Sequence, residues 1–225
     1  MKVAIIADTH GGFKPLFDQY KDKIAEANLV CILGDMYRGE VQILVDFVKV
    51  PIVAIHGNHD DENTYKDLGI VMLHKTEVEL SNGITMVGFE GSSRYKPSQI
   101  YGYTQEESVK ECDNLPICDI LLSHDGPLGY CGNIHEDAHC GLQGITNYIN
   151  RAKPKLVFFG HHHKNKNFKI GNTDCYNVYE LGIFDIEDGK VVNYQNYNLQ
   201  WLFNYNKVWT WKIAYLNNQV GYFIL

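Results

Sequence analysis

Five short apolar runs, each stopping abruptly on polar residues rich in Asp, Asn or His, constrain this chain more than any other feature. Residues 3–7 end in Asp8-Thr9-His10, and residues 29–33 end in Gly34-Asp35. Residues 52–55 lead through His56 into Gly57-Asn58-His59-Asp60, and residues 120–122 end in Ser123-His124-Asp125. Residues 156–159 end in Gly160-His161-His162-His163. Runs of three to five aliphatic, largely β-branched residues bounded by Gly and polar groups read as buried strands.

Helical periodicity fills the gaps between them. Residues 15–28 open on Pro15 and place Leu16, Phe17, Tyr20, Ile24 and Ala27 on one face. Residues 41–48, 104–112 and 141–152 behave similarly, and such alternation implies an α/β core. Two regions differ. Residues 77–80 and 84–89 flank Asn82-Gly83, a strong hairpin signal. From residue 174 onward, Tyr-, Asn- and Val-rich runs with a turn at Glu187-Asp188-Gly189 read as antiparallel strands. The expected architecture is two packed mixed β-sheets flanked by helices, within a single domain over residues 1–225. An aromatic-rich β-hairpin extension is expected at about 199–225, around Asn217-Asn218, with Trp201, Trp209 and Trp211. It serves either as core packing or as an oligomer interface.

Composition narrows the function. At 225 residues, 45% hydrophobic and 21% charged, the chain has the balance of a globular protein with a proper core. A net charge of −7 disfavours long nucleic acid, whose binding is driven by counterion release. No stretch approaches the length of a membrane span, and the apolar run at residues 3–7 is too short for a signal-peptide core. The six cysteines show no close pairing, so no disulfide framework is suggested and a cytoplasmic location is expected.

In an open α/β sheet, ligands bind at the carboxyl ends of the strands. Here those ends deliver Asp8, His10, Asp35, Asn58, His59, His124, His161 and His163. Carboxylate, amide oxygen and imidazole are donors for borderline to hard divalent metals, and core packing has no use for them there. The same five ordered blocks, spanning residues 8–163, resemble the signature of calcineurin-like metallophosphoesterases.

That resemblance implies two divalent metal ions, with Mn favoured and Fe, Zn or Ni as alternatives. It implies that Asp8, His10, Asp35 and His163 hold one, and Asp35, Asn58, His124 and His161 the other, Asp35 bridging. It implies hydrolysis of a small phosphodiester or phosphomonoester by metal-activated water. His59 is the implied catalytic imidazole beside the metals, and Asp60 is expected either to orient it or to cap a helix over residues 62–68. Arg38, Ser93 and Arg94 are candidate substrate contacts, and residues 125–140 read as a lid. Two rival functions are a binding scaffold that keeps the fold without the chemistry, and a nuclease acting on short nucleic acid. The presence of all seven ligand positions together with His59 favours the hydrolase.

Overall fold

Period-two alternation along the strands sets the layers. In β1 (Lys2–Ala7), Val3, Ile5 and Ala7 enter one apolar cluster while Ala4 and Ile6 enter another on the opposite face. Such two-sided burial is what near-continuous apolar runs require. The computed structural model describes residues 1–135 and 137–199. The expected aromatic hairpin lies outside the described residues, apart from Leu199 at its start, and the expected oligomer surface lies outside them too.

After β1 come α1 (Phe13–Ala25), β2 (Leu29–Ile32), α2 (Arg38–Phe47) and β3 (Ile52–Ala54). A short α3 (Thr64–Asp67) precedes β4 (Val71–Met72), β5 (Glu77–Glu79), β6 (Thr85–Phe89), β7 (Ser92–Ser93) and β8 (Gly102–Tyr103). Next are α4 (Gln105–Asp113), β9 (Ile120–Ser123), α5 (Gln143–Ala152) and β10 (Leu156–Phe159). Then β11 (Lys166–Ile170), β12 (Thr173–Asn177), β13 (Glu180–Glu187) and β14 (Lys190–Tyr197) follow.

Two six-stranded sheets result, in the orders β14-β13-β1-β2-β3-β4 and β11-β12-β10-β9-β6-β5. Each is mixed: β1 to β4 run parallel in the first and β6, β9, β10 and β12 in the second, with antiparallel strands at the margins. Val3, Ile5, Cys31, Met86, Leu122, Phe158 and Phe184 are among the residues filling the space between the sheets. Phe13, Leu16, Ile24, Val41 and Leu44 of α1 and α2 cover the first sheet, and Ile145, Tyr148 and Ile149 of α5 the second. This is the α/β architecture of two packed sheets flanked by helices.

Local chemistry shifts several boundaries. Helix α2 starts at Arg38 rather than 41, because the Glu40 carboxylate accepts from the Tyr37 N–H and fixes the first turn. The Asn82-Gly83 hairpin closes through the three-residue loop 81–83 that the expected strand bounds leave. The Leu80 N–H donates to the Ile84 carbonyl, and Gly83 takes a φ of 78°. The turn between β13 and β14 has Asp188 at φ 51° and Gly189 at φ 72°, the backbone a two-residue hairpin demands. Among the described residues no helix is long and apolar enough to cross a membrane.

Candidate metal centre

Parallel pairing brings the carboxyl ends of β1, β2, β3, β9 and β10 to one rim, so the loops after them meet. Among the described residues nine non-glycine residues have a left-handed backbone, and five of them are Asp8, His10, Asp35, His161 and His163. After β1, β2 and β10 the chain turns through a conformation that an L-residue adopts reluctantly. Glycines make the close approach possible. A Cβ on Gly57 would strike the Asp35 carboxylate, and one on Gly160 would sit 2.6 Å from Asp8 Oδ2.

Asp8, His10 and His163 offer ligand atoms within 4.8 Å of one another, and so do Asp8, Asp35 and His124. Asp35 Oδ2 stands 3.6 Å from His10 Nε2 and 3.7 Å from His124 Nε2. His10 Nε2 and His163 Nε2 face each other at 3.1 Å. Asn58 presents Oδ1 to His124 Nε2 at 3.0 Å. Asp8 Oδ2 accepts from the His161 N–H at 2.7 Å, while Oδ1 is buried without a hydrogen-bond partner. A buried carboxylate oxygen left over beside two imidazoles is a cation donor by its chemistry, so these side chains fit divalent metal.

Tautomers follow from fixed partners. His124 Nδ1 lies 2.7 Å from the Leu33 carbonyl, which can only accept, so Nδ1 carries a hydrogen and Nε2, facing Asp35 and Asn58, is the nitrogen left to meet a cation. His161 Nε2 lies 2.5 Å from the Ala138 carbonyl, so its lone pair is on Nδ1. Thus His161 meets the 125–140 loop through one nitrogen and stands beside His124, ring centroids 5.0 Å apart, with the other available.

Electrostatics divide the imidazoles: burial works against charged His124, but Asp35 and Asp8 outweigh it and hold it above its ordinary value, whereas His161 and His163 are kept neutral. Burial pushes His161 down to about 3 and His163 to about 4, the latter helped by His10. Burial, with Asp35 nearby, pushes Asp8 up to about 8, even though His124 opposes it. Burial also works against ionised Asp35, but His124, the His59 N–H and His10 outweigh it and hold that carboxyl below its ordinary value.

His59 is exposed at the rim, its N–H donating to Asp35 Oδ1 at 2.9 Å and its ring 5.6 Å from that of His10. Asp60 does something other than orient it. Its Oδ2 accepts from the N–H groups of Asp35 at 3.0 Å and Gly57 at 2.7 Å and from the Tyr65 hydroxyl at 2.9 Å. Its Oδ1 accepts from the Met36 N–H at 3.1 Å. Nor does it cap the following helix, since α3 begins after Asn63. Asp60 is a buried bracket tying the Asp35 loop to the Asn58 loop.

The three candidate substrate contacts are held elsewhere. Arg38 pairs with Asp67 at 2.9 Å because its position opens α2 and faces α3. Arg94 donates to the Gly102 carbonyl at 2.7 Å and pairs with Glu107 at 2.8 Å. Ser93 is buried, its hydroxyl donating to the Asp137 carbonyl at 2.7 Å and so tethering the 125–140 loop.

Three residues went unnoticed in the sequence. Buried Glu40 accepts from the Thr9 hydroxyl at 3.0 Å and the Phe13 N–H at 2.7 Å, clamping the Asp8–His10 turn to α2. Asp125 accepts from His162 Nε2 at 2.9 Å and from the Ser93 N–H at 3.0 Å, joining the two histidine loops. The Tyr95 hydroxyl sits 3.4 Å from His59 Nε2 and 3.3 Å from Asn58 Nδ2. Only Glu40 carried a signal, as an acid three positions beyond a helix start.

Solved structures share this fold at low identity. A Thermus thermophilus protein aligns with a TM-score of 0.62 at 13% identity, covering 87% of this chain and 98% of its own. A structure described as a novel archaeal phosphodiesterase aligns at 0.52 and 16% identity, covering 87% and 99%. Phosphopantetheinyl hydrolase from Mycobacterium tuberculosis aligns at 0.55 and 12% identity, covering 80% and 89%. No curated protein matches the sequence. Calcineurin-like phosphoesterases as a group do match it, over residues 1–165, a stretch that contains every ligand-bearing turn described above, and the chain belongs to that family.

Proposed function

We propose that this protein is a two-metal phosphoesterase acting on a small phosphodiester or phosphomonoester. The observation that carries the reading is Asp35, whose Oδ2 lies nearly equidistant, at 3.6 and 3.7 Å, from imidazole nitrogens of two different ligand groups. One carboxylate so placed can serve two ions. Asp8, His10 and His163 then belong to one site and Asn58, His124 and His161 to the other. Two bound divalent ions would acidify a water and neutralise phosphoryl oxygens.

The chain supplies the rest. His124 is fixed through Nδ1 by the Leu33 carbonyl and Asn58 through Nδ2 by the Tyr95 hydroxyl, so their ligand atoms need little reorganisation. His59 stands at the exposed edge, where an imidazole can donate a proton to the departing oxygen near neutral pH. Diesters are the favoured substrates, by analogy with the archaeal phosphodiesterase of the same fold.

The test is elemental analysis joined to a substrate panel. Manganese-loaded protein is expected to hold two ions and to hydrolyse bis-p-nitrophenyl phosphate at least as fast as p-nitrophenyl phosphate. Asp35→Asn should lower the content of both ions and abolish turnover. Full occupancy in Asp35→Asn would overturn the bridging assignment, and a large monoester preference would overturn the diester one.

A further inference from the structure

The loop after β7 builds a second feature against the rim. Arg94, Tyr95, Lys96, Pro97 and Gln99 line a shallow, open cleft of about 540 Å³. Buried Gln99 braces this loop. Its Nε2 donates to Ser92 Oγ at 2.9 Å and to the Tyr101 carbonyl at 3.2 Å, and its Oε1 accepts from the Tyr95 N–H at 3.3 Å. Tyr95 belongs to both places: its ring lines the cleft and its hydroxyl touches His59 Nε2 and Asn58 Nδ2.

We infer that this cleft is the leaving-group subsite and that it selects phosphoesters whose leaving group carries its own negative charge. The inference rests on the proposed function, in which His59 protonates the departing oxygen. That oxygen then lies within reach of His59 Nε2, and the group attached to it extends past Tyr95 into the cleft. Of the two cations there, Arg94 is neutralised by Glu107 at 2.8 Å. Lys96 makes no ion pair among the described residues, and its ammonium lies 5.2 Å from the Tyr95 ring centroid. An unpaired cation over an aromatic ring, whose hydroxyl touches the proposed proton donor, recognises a compact anion on an organic leaving group.

The experiment compares methyl 4-carboxyphenyl phosphate with methyl 4-chlorophenyl phosphate, whose leaving phenols have similar basicity and differ in charge. The manganese-loaded protein is expected to favour the carboxylate-bearing ester in kcat/KM by about two- to fivefold, the range of a partly exposed ion pair. In Lys96→Met that ratio should fall to about one. In parallel, Tyr95 ring resonances are followed by NMR as metal-free protein is titrated with 4-hydroxybenzoate or 4-chlorophenol. Shifts larger for the carboxylate, and lost in Lys96→Met, support the subsite without turnover. A ratio near one in the unaltered protein, or a ratio untouched by Lys96→Met, overturns the inference while leaving the phosphoesterase reading intact. Failure to hydrolyse either ester together with both nitrophenyl substrates sinks that reading instead, and the titration alone then decides whether the cleft binds anions.

Discussion

Replacing Asp60 separates a structural bracket from a catalytic partner. In the folded protein its carboxylate receives four donors: the Asp35, Gly57 and Met36 N–H groups and the Tyr65 hydroxyl. Asp60→Ala strands all of them in the interior, each at about 1–3 kcal/mol. Even at the low end the loss approaches 4 kcal/mol, a large part of the 5–15 kcal/mol typical of a domain. Asp60→Asn is milder. With the amide oxygen in place of Oδ2 three donors keep a partner, but the amide NH₂ then meets the Met36 N–H. A loss of about 1.5–3 kcal/mol is expected, one stranded donor plus an opposed contact. Urea unfolding of the metal-free proteins at fixed pH measures both. Rates on esters with graded leaving-group basicity supply the second readout, and Asp60→Asn should leave their dependence parallel to that of the unaltered protein. An Asp60→Ala loss below about 1 kcal/mol would refute the bracket. An Asp60→Asn slope that steepens as expected for a missing proton donor would restore the His59-orienting role.

Other outcomes are equally open to measurement. Glu40→Ala should cost about 2–4 kcal/mol in urea unfolding, since it strands the Thr9, Phe13 and Tyr37 donors. Gly57→Ala places a methyl against the Asp35 carboxylate, so metal content should fall and stability drop by about 1–3 kcal/mol. Manganese at about a hundredfold above its dissociation constant should stabilise the fold by roughly 2.7 kcal/mol for each site it fills, seen as a rise in Tm that EDTA reverses. His59→Gln should keep its metals yet lose about 10²–10⁴-fold on esters with poor leaving groups and far less on nitrophenyl esters.

How much of this the sequence carried depended on where each partner lies along the chain. Strands ending in Asp8, Asp35, Asn58, His124 and His161 were legible because an apolar run and its polar terminus are contiguous. Parallel pairing then decides where such termini gather, and that follows from strand–helix alternation. Asp60 was legible as an acid beside His59 but not as a bracket, because two of its donors, Asp35 and Met36, precede it by 25 and 24 residues. Arg38 and Arg94 looked like phosphate contacts because a loop arginine shows its charge and hides its partner. Asp67 and Glu107, 29 and 13 residues away, take them up. Tyr95 gave no sign at all, since a tyrosine in a polar loop acquires meaning only when the fold sets it beside His59.

The left-handed turns at the rim have a consequence for how such a centre persists. An L-residue in that conformation costs about 1–2 kcal/mol. Glycine would remove the strain at a loss of roughly 0.5–1 kcal/mol through its freer unfolded chain. His163 is exposed, so His163→Gly gives up little packing and should leave the metal-free fold slightly more stable. Robustness and chemistry therefore pull this rim in opposite directions. Under the proposed function, drift toward a sturdier, ligand-poor scaffold would run downhill once turnover ceased to be required.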